Sequence, residues 1–191
     1  MTNNPKYIII HCTDTSYTKS FDQLDAVNQY HKEREFPKSS LGYYVGYHNL
    51  ITGDTNHVCR LETDEGAHCN QTVNGLSMNF QSLGICIGFD GDIEMPTDIQ
   101  YKLLQEKIWA WQDKYNISNE KVKFHRDFKP EKTCPGSLIT NEWLKKLLSR
   151  PSSIPTEKCI DEKEFNALKS KIGLYEALIT SIMDIINKFK K

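Results

Sequence analysis

The run Tyr7-Ile-Ile-Ile-His-Cys12, near the start of this 191-residue chain, has the composition of a buried β-strand. Side chains of a strand point alternately to its two faces, so the run separates into two sets. One face carries Tyr7, Ile9 and His11, and the other carries Ile8, Ile10 and Cys12. The sequence therefore predicts a buried strand that ends in an imidazole, His11.

Helices are predicted on the C-terminal side of this strand. Ser20-Phe-Asp-Gln23 has the pattern of a capping box and opens a helix that ends before Pro37. Thr97-Asp-Ile-Gln100 is a second capping box, and residues 140–149 form a further predicted helix. The first helix has the common face Leu24, Val27 and His31, and the second has the stripe Leu104, Ile108, Trp111 and Tyr115.

Further strand regions alternate with these helices. Residues 43–51 and 56–61 are strand-like and flank the turn Thr52-Gly-Asp-Thr55, which predicts a hairpin. Residues 83–89 indicate a central strand that other backbone approaches closely at its glycines. Residues 122–125 indicate a short strand that ends in His125. Strands and helices that alternate along one chain predict an α/β fold.

The charge balance and the hydropathy pattern argue against two classes of partner. The chain has 24 Lys and Arg against 25 Asp and Glu, so it lacks the basic excess typical of nucleic-acid-binding proteins. Its longest mostly apolar stretch, residues 172–189, is interrupted by Glu176 and Asp184 and is a poor membrane span. We therefore expect neither a nucleic-acid partner nor a transmembrane segment.

The N-terminus and the cysteines indicate the compartment of synthesis. Residues 1–7 are polar and lead directly into the first strand, without the basic start, apolar region and cleavage site of a secretory signal. Synthesis in the cytoplasm is therefore expected. The 6 cysteines are scattered without close pairs, which favours isolated thiols over a disulfide framework.

Three side chains with donors for a transition metal fall at strand ends or in loops. His11 ends the first strand, His125 ends the last one, and Cys134 follows 9 residues later. Two imidazoles and one thiolate suit zinc, and three protein ligands leave the fourth position open for water, as in catalytic sites. The spacing alone also fits the alternative that Cys134 is a buried thiol far from the histidines. His31 and His48 are expected to be structural.

Six short motifs are distributed over about residues 5–149. They are Ile10-His11-Cys12-Thr13, Gly46-Tyr47-His48-Asn49, Gly66-Ala67-His68, Ser82-Leu-Gly-Ile-Cys86, Phe124-His125-Arg126-Asp127 and Lys132-Thr-Cys134-Pro135-Gly136. In this order they resemble the motifs of N-acetylmuramoyl-L-alanine amidases, above all the amidase-type phage lysozymes, which are relatives of the peptidoglycan recognition proteins. The resemblance implies a mixed central β-sheet flanked by helices, with a zinc ion at the bottom of a groove.

The resemblance also implies roles for individual residues. The zinc ligands of the family fall on His11, His125 and Cys134, so Zn²⁺ is the implied cofactor. The active-site tyrosine and lysine of the family fall on Tyr47 and Lys132, and both positions hold the expected residue. These two are the implied catalytic residues, and either one could be the group that transfers the proton.

The implied substrate is bacterial peptidoglycan, in which the family hydrolyses the amide bond between N-acetylmuramic acid and L-alanine. His68 lies where the family lines its groove and is a candidate for substrate contact or for loop structure. Asn79 is the second candidate, and it either faces the glycopeptide or caps a loop.

A phage endolysin that reaches the cell wall after holin-mediated release, and is therefore bacteriolytic, is the favoured function. One alternative is a peptidoglycan-binding recognition module without catalysis, and another is an intracellular amidase that recycles muropeptides. Cys134 together with Lys132 and Tyr47 favours the enzyme, because recognition-only relatives often lack the cysteine.

The composition changes at the C-terminal end of the region that carries the motifs. Arg150-Pro-Ser-Ser-Ile-Pro155 has the composition of a linker. This predicts a zinc amidase catalytic domain over residues 1–150, a linker over 151–156 and an amphipathic helix over 157–191. The helix has the heptad seam Phe165, Leu168, Ile172, Tyr175, Ile179, Ile182, Ile186 and Phe189. The seam favours a homo-oligomer, with packing against the catalytic domain or targeting to the wall as alternatives.

Overall fold

The structure, a computed structural model, describes residues 2–18 and 22–151 together with the single residues 169, 179, 182 and 183. The chain divides into two compact units, residues 1–149 and residues 150–191. Apart from these single residues and Pro151, the predicted linker and tail helix lie outside the described residues, so the domain boundaries and the oligomer stay predictions. No helix within the described part of the chain is both long and apolar enough to cross a membrane.

The elements of the first unit alternate between strands and helices. The strands are β1 (Tyr7–Cys12), β2 (Asn49–Thr52), β3 (Thr55–Val58), β4 (Thr72–Val73), β5 (Leu76–Ser77), β6 (Ser82–Ile87) and β7 (Val122–Phe124). The α-helices are α1 (Gln23–Glu33), α2 (Met78–Gln81), α3 (Asp98–Tyr115) and α4 (Asn141–Leu148).

Five strands form the central sheet in the order β3-β2-β6-β1-β7, while β4 and β5 pair separately. β1 is parallel to both β6 and β7, and β2 is parallel to β6. β3 is antiparallel to β2, and the two are joined by the predicted tight turn, in which Gly53 has a φ of 56°. The predicted α/β fold with a mixed central sheet is confirmed, and the predicted central strand is β6.

The two faces of β1 separate as the alternation predicts. Ile8, Ile10 and Cys12 belong to the main core, which α3 and α4 complete with Leu104, Ile108, Trp111 and Leu147. Ile9 packs in a different cluster with Cys69 and Met78. The opposite face of the sheet is therefore left for His11 and the loops around it.

The helix termini follow local hydrogen bonding. At the start of α3, the Thr97 hydroxyl accepts a hydrogen bond from the Gln100 N–H, and the Gln100 side chain accepts one from the Thr97 N–H, at 3.2 and 3.0 Å. This confirms the predicted capping box. For α1, Ser20 lies outside the described residues, and the helix is capped by Asp22, which accepts from the Leu24 N–H at 2.8 Å.

The predicted strand over residues 43–51 is wrong in its first part, because only its last residues are in β2. The Gly46 N–H donates to His31 Nδ1 at 3.1 Å, and the Val45 carbonyl accepts a hydrogen bond from Arg60 Nε at 2.8 Å. These side chains occupy backbone groups that a strand would need for its ladder. Residues 43–48 are therefore a loop held by hydrogen bonds to side chains, and these two come from distant parts of the chain.

The glycine within β6 has a different cause from the predicted one. A Cβ atom on Gly84 would lie 2.5 Å from the imidazole ring of His68. At Gly84 the close neighbour is therefore a side chain, whereas at Gly88, directly after β6, the backbone oxygen of Ile51 would lie 3.2 Å from a Cβ atom. Gly84 leaves the space in which the His68 ring lies against the sheet.

Candidate metal centre

The register of β1 with β7 places His11 beside His125. The strands are parallel with Ile10 opposite Phe124, so the residues that follow these two, His11 and His125, lie side by side at the C-terminal end of this pairing. The two imidazole rings are 4.6 Å apart between centroids. His125 begins a 3₁₀ turn that Asp127 stabilises, because its carboxylate accepts the Phe124 N–H at 3.0 Å.

Arg126 holds the loop that carries Cys134. Its guanidinium donates to the carbonyls of Thr133 at 2.9 Å and Gly136 at 2.7 Å, and also to the carbonyl of Ile139. Its backbone N–H donates to the Cys134 carbonyl at 3.0 Å. The residue that follows one histidine therefore ties the cysteine loop to that histidine.

The loop after β6 supports the cysteine loop from its other side. The Asp92 carboxylate accepts hydrogen bonds from the Thr133 hydroxyl at 2.8 Å and the Ser137 N–H at 2.7 Å. Gly91 and Gly136 pack backbone to backbone, so that a Cβ on Gly136 would lie 2.0 Å from the Gly91 carbonyl carbon. Cys134 is thus fixed between two loops.

The three predicted donors converge. One ligand atom each of His11, His125 and Cys134 lies within 4.8 Å of the other two. The Cys134 sulfur is 3.8 Å from His11 Nδ1, so Nδ1 is the nitrogen that faces the site. Two imidazole nitrogens and one sulfur are donor types that zinc prefers, and the residues present therefore fit that metal.

Burial sets the protonation of these donors. The pKa of His11 lies well below its ordinary value, first because the ring is buried and then because His125 is close. Burial, followed by the charge of Lys132, lowers the pKa of His125 to about 4. Contact with the Cys12 thiol, followed by burial, raises the pKa of Cys134 well above its ordinary value. The imidazoles are therefore neutral at neutral pH, whereas the thiol releases a proton when it binds a metal.

A cavity of about 710 Å³ lies over the three donors and forms the groove that the resemblance implies. Tyr30 of helix α1 and Arg34, which caps the C-terminus of this helix, contribute to its wall, and the Arg34 guanidinium donates to the Tyr30 hydroxyl at 2.7 Å. Sequence reasoning missed these two residues. Both are exposed residues in the last turn and at the C-terminal cap of an amphipathic helix. No pattern in the sequence distinguishes a helix face turned to a groove from one turned to solvent.

The structure brings both implied catalytic residues to this groove. The Tyr47 ring lies 4.9 Å from the His11 ring between centroids. Burial above all raises the pKa of Tyr47 well above its ordinary value, so its hydroxyl stays protonated. Lys132 is exposed and lines the same groove two residues before Cys134.

Of the two candidates for substrate contact, His68 lines the groove beside His11, whereas Asn79 is not among the described residues that line it. His68 is 8% exposed, and its Nδ1 is 3.0 Å from His11 Nε2. The Asn79 side-chain oxygen accepts hydrogen bonds from the N–H groups of His68 and Cys69 at 3.0 and 2.8 Å. Asn79 therefore caps the loop that carries His68, which is the second of its predicted alternatives. Substrate contact by either residue stays a prediction.

His31 and His48 have the structural roles that were expected. His31 Nδ1 accepts the Gly46 N–H, while His48 Nδ1 accepts the Gly84 N–H at 3.0 Å and His48 Nε2 donates to the Asp64 carbonyl at 3.1 Å. Burial is the main cause that lowers the pKa of each ring to about 4. Both rings hold the loops around the groove in their neutral form.

The sequence matches the N-acetylmuramoyl-L-alanine amidase family over residues 1–137, a range that includes the three donors, Tyr47 and Lys132. The chain belongs to this family. Members of the N-acetylmuramoyl-L-alanine amidase family act on peptidoglycan or recognise it. None of the curated protein sequences matches this family member significantly.

Solved structures of amidases, endolysins and recognition proteins resemble this amidase-family chain. The N-acetylmuramoyl-L-alanine amidase LysC from Clostridium intestinale is 26% identical with a TM-score of 0.60, over 75% of this chain and 85% of LysC. The endolysin of the Thermus scotoductus bacteriophage Ph2119 is 19% identical with a TM-score of 0.59, over 78% and 87% of the two chains. The bumblebee recognition protein PGRP-SA is 20% identical with a TM-score of 0.60, over 80% and 90%. At these sequence identities, the similarity to the Ph2119 endolysin and to PGRP-SA shows a shared fold alone.

The metal-free form of this amidase-family protein should lose stability between about pH 6.5 and pH 4. In that range the unfolded chain protonates His31 and His48, whereas the folded protein keeps both neutral because their pKa values are lowered to about 4. The free energy of unfolding therefore has its full value above about pH 6.5 and decreases as the pH falls, by about 3 kcal/mol for each ring. Urea unfolding followed by circular dichroism at several pH values measures this loss.

Carboxylates titrate in a lower pH range, so their effect on the free energy of unfolding serves as an internal control. Although burial alone would raise the pKa of Glu62, hydrogen bonds led by those from Lys114 and Trp111 lower it to about 2. Its contribution is present above its ordinary pKa and is lost only as the pH falls below about 4.5. A free energy of unfolding that stays constant down to that pH would contradict the assignment of neutral buried histidines.

Proposed function

We propose that this chain is a zinc-dependent N-acetylmuramoyl-L-alanine amidase. It hydrolyses the amide bond between the lactyl group of N-acetylmuramic acid and L-alanine in peptidoglycan, and acts on the cell wall as a phage endolysin. The observation that carries this proposal is the convergence of His11, His125 and Cys134 at the base of a groove that Tyr47 and Lys132 also line.

The three converging donors would hold the zinc ion. When bound, the ion supplies Lewis-acid polarisation of the scissile carbonyl and activates water as a nucleophile. Fixing of the donors before the metal arrives reduces the reorganisation that binding requires. Arg126 and Asp92 provide this order, because both hold the loop that carries Cys134.

Tyr47 and Lys132 act on the substrate from the wall of the groove. Tyr47 keeps its proton because its pKa is raised, and therefore orients the attacking water as a neutral hydrogen-bond donor. Lys132 brings a positive charge to the place where negative charge develops on the carbonyl oxygen. A cation at this position stabilises the transition state more than the neutral ground state.

Mass spectrometry of digested peptidoglycan tests the proposal. Purified sacculi treated with the zinc-loaded protein should release free stem peptides with a new N-terminal alanine and leave the glycan strands intact. New reducing ends would instead indicate a glycosidase and refute the assigned bond. A chelator should stop the release, and added zinc should restore it.

The same assay separates the alternative functions. Hydrolysis of soluble muropeptides without clearing of intact sacculi would indicate a recycling amidase. Binding to sacculi without any released peptide would indicate a recognition module, a class represented among the structural neighbours by bumblebee PGRP-SA.

A further inference from the structure

The two nitrogens of His11 face in different directions. Nδ1 faces the metal site, 3.8 Å from the Cys134 sulfur. Nε2 faces away from that site and lies 3.0 Å from Nδ1 of His68. An imidazole that ligates a metal commonly donates its other N–H to a partner that fixes its orientation.

The contacts continue behind His68. Its Nε2 lies 3.4 Å from the hydroxyl oxygen of Ser82, and that hydroxyl lies 2.5 Å from the Met78 carbonyl. Ser82 is fully buried, and its contact with a carbonyl oxygen determines the direction of its own hydrogen bond. A carbonyl oxygen can only accept, so the Ser82 hydroxyl donates to Met78.

The donor and acceptor of this hydrogen bond determine the donors and acceptors of the bonds that lead back to His11. Because the Ser82 hydroxyl donates its proton to Met78, its oxygen accepts from Nε2–H of His68. A neutral imidazole carries one proton, so Nδ1 of His68 is an acceptor and takes the Nε2–H of His11. His11 then has its lone pair on Nδ1, the nitrogen that faces Cys134. The chain of bonds thus selects the tautomer that a metal ligand requires.

The ring of His68 is confined in this orientation. A Cβ on Gly66 would lie 2.6 Å from the ring, and one on Gly84 would lie 2.5 Å from it. Asn79 holds the backbone N–H of His68. Both ring nitrogens have protein partners, and the ring is 8% exposed where it lines the groove.

We propose that His68 is a positioning residue that acts through His11. It fixes the Nε2-protonated tautomer and the ring orientation of His11, and so raises the affinity of the site for zinc. The proposal rests on the proposed zinc site, but it concerns metal binding and can be measured without substrate. The sequence left substrate contact and loop structure open for His68, and the positioning role is a third role for this residue.

The test compares His68→Phe with His68→Asn by zinc affinity in competition with a chromophoric chelator. His68→Phe keeps a ring between the glycines but removes the acceptor, and should weaken zinc binding by about 10- to 100-fold. His68→Asn offers an amide oxygen as acceptor and should restore most of the affinity. The Co²⁺-substituted proteins should show the same order, with ligand-field absorption shifted in His68→Phe and retained in His68→Asn.

Two further variants complete the test. His57→Phe makes the same chemical change at a half-buried imidazole of β3, at the far edge of the sheet, and should leave zinc affinity unchanged. Ser82→Ala removes the hydroxyl that accepts from His68 and leaves the Ser82 backbone in place, and it should weaken zinc binding in the wild-type background but not in His68→Phe. Ser82→Ala also decides the matter if His68→Phe does not fold.

Three results would overturn the proposal. Unchanged zinc affinity and cobalt spectrum in His68→Phe, with a raised KM, would assign His68 to substrate contact. Equal losses in His68→Phe and His68→Asn would assign it to general packing. Unchanged zinc affinity in Ser82→Ala would show that the hydrogen bond from His68 to the Ser82 hydroxyl does not fix the tautomer of His11. If wild-type protein binds zinc but releases no peptide from sacculi, the proposed reaction fails while the zinc affinities still test His68.

Discussion

The variant His125→Ala should no longer retain a stoichiometric amount of zinc. Its hydrolytic rate should fall by at least about a thousandfold. Only His11 and Cys134 would remain as donors, and two protein ligands bind zinc too weakly to retain it when the protein is diluted. The side chain of His125 is only partly buried, so its removal should leave the fold intact. Elemental analysis after gel filtration and the release of stem peptides from sacculi measure the two effects.

The control for this experiment is His57→Ala. It removes an imidazole of similar exposure whose Nε2 bonds to the Thr52 hydroxyl at 2.9 Å in the hairpin of β2 and β3. Zinc content and rate should both stay at the wild-type level. Full zinc occupancy and full activity in His125→Ala would show that the three donors are not the metal site.

The variant Lys132→Ala should reduce turnover by about 100-fold and leave the zinc content unchanged. Lys132 supplies no donor to the cluster, and its side chain is exposed on the wall of the groove. Its charge is expected to act on the oxyanion of the transition state, so kcat should fall while KM changes little. Steady-state kinetics on a soluble muropeptide, together with metal analysis, separate the two quantities.

Lys129→Ala is the matched control for Lys132→Ala. Lys129 is three residues earlier in the same loop, lies 3.6 Å from Glu131 and is not among the described residues that line the groove. Its removal should change turnover little. Parallel losses of zinc and turnover in Lys132→Ala would instead assign Lys132 a structural role.

Patterns that depend on neighbouring residues were predicted correctly from the sequence. The alternation of β1 gave both of its faces, and the Thr97 to Gln100 pattern gave the start of α3. These features arise from strand and helix geometry over a few residues, so the local sequence contains the information. The donor types of His11, His125 and Cys134 suit zinc but leave a buried Cys134 thiol as the alternative, and the resemblance to a family selects the metal site.

The errors occur where distant side chains replace local backbone partners. Residues 43–48 have strand-like composition, but His31 and Arg60 take the backbone groups of Gly46 and Val45. The glycine of β6 was predicted to allow the approach of backbone, and it accommodates the ring of His68. Neither partner is near in sequence, and periodicity carries no information about it.

The sequence by itself determined the family, the α/β class and the identity of the candidate donors. Only the tertiary structure decided that these donors meet, because His11 and His125 become neighbours through the parallel pairing of β1 with β7. It also decided that Arg126 brings Cys134 to them and that His68 lies behind His11. The physical reason is that strand register and long-range hydrogen bonds join segments that no local pattern connects.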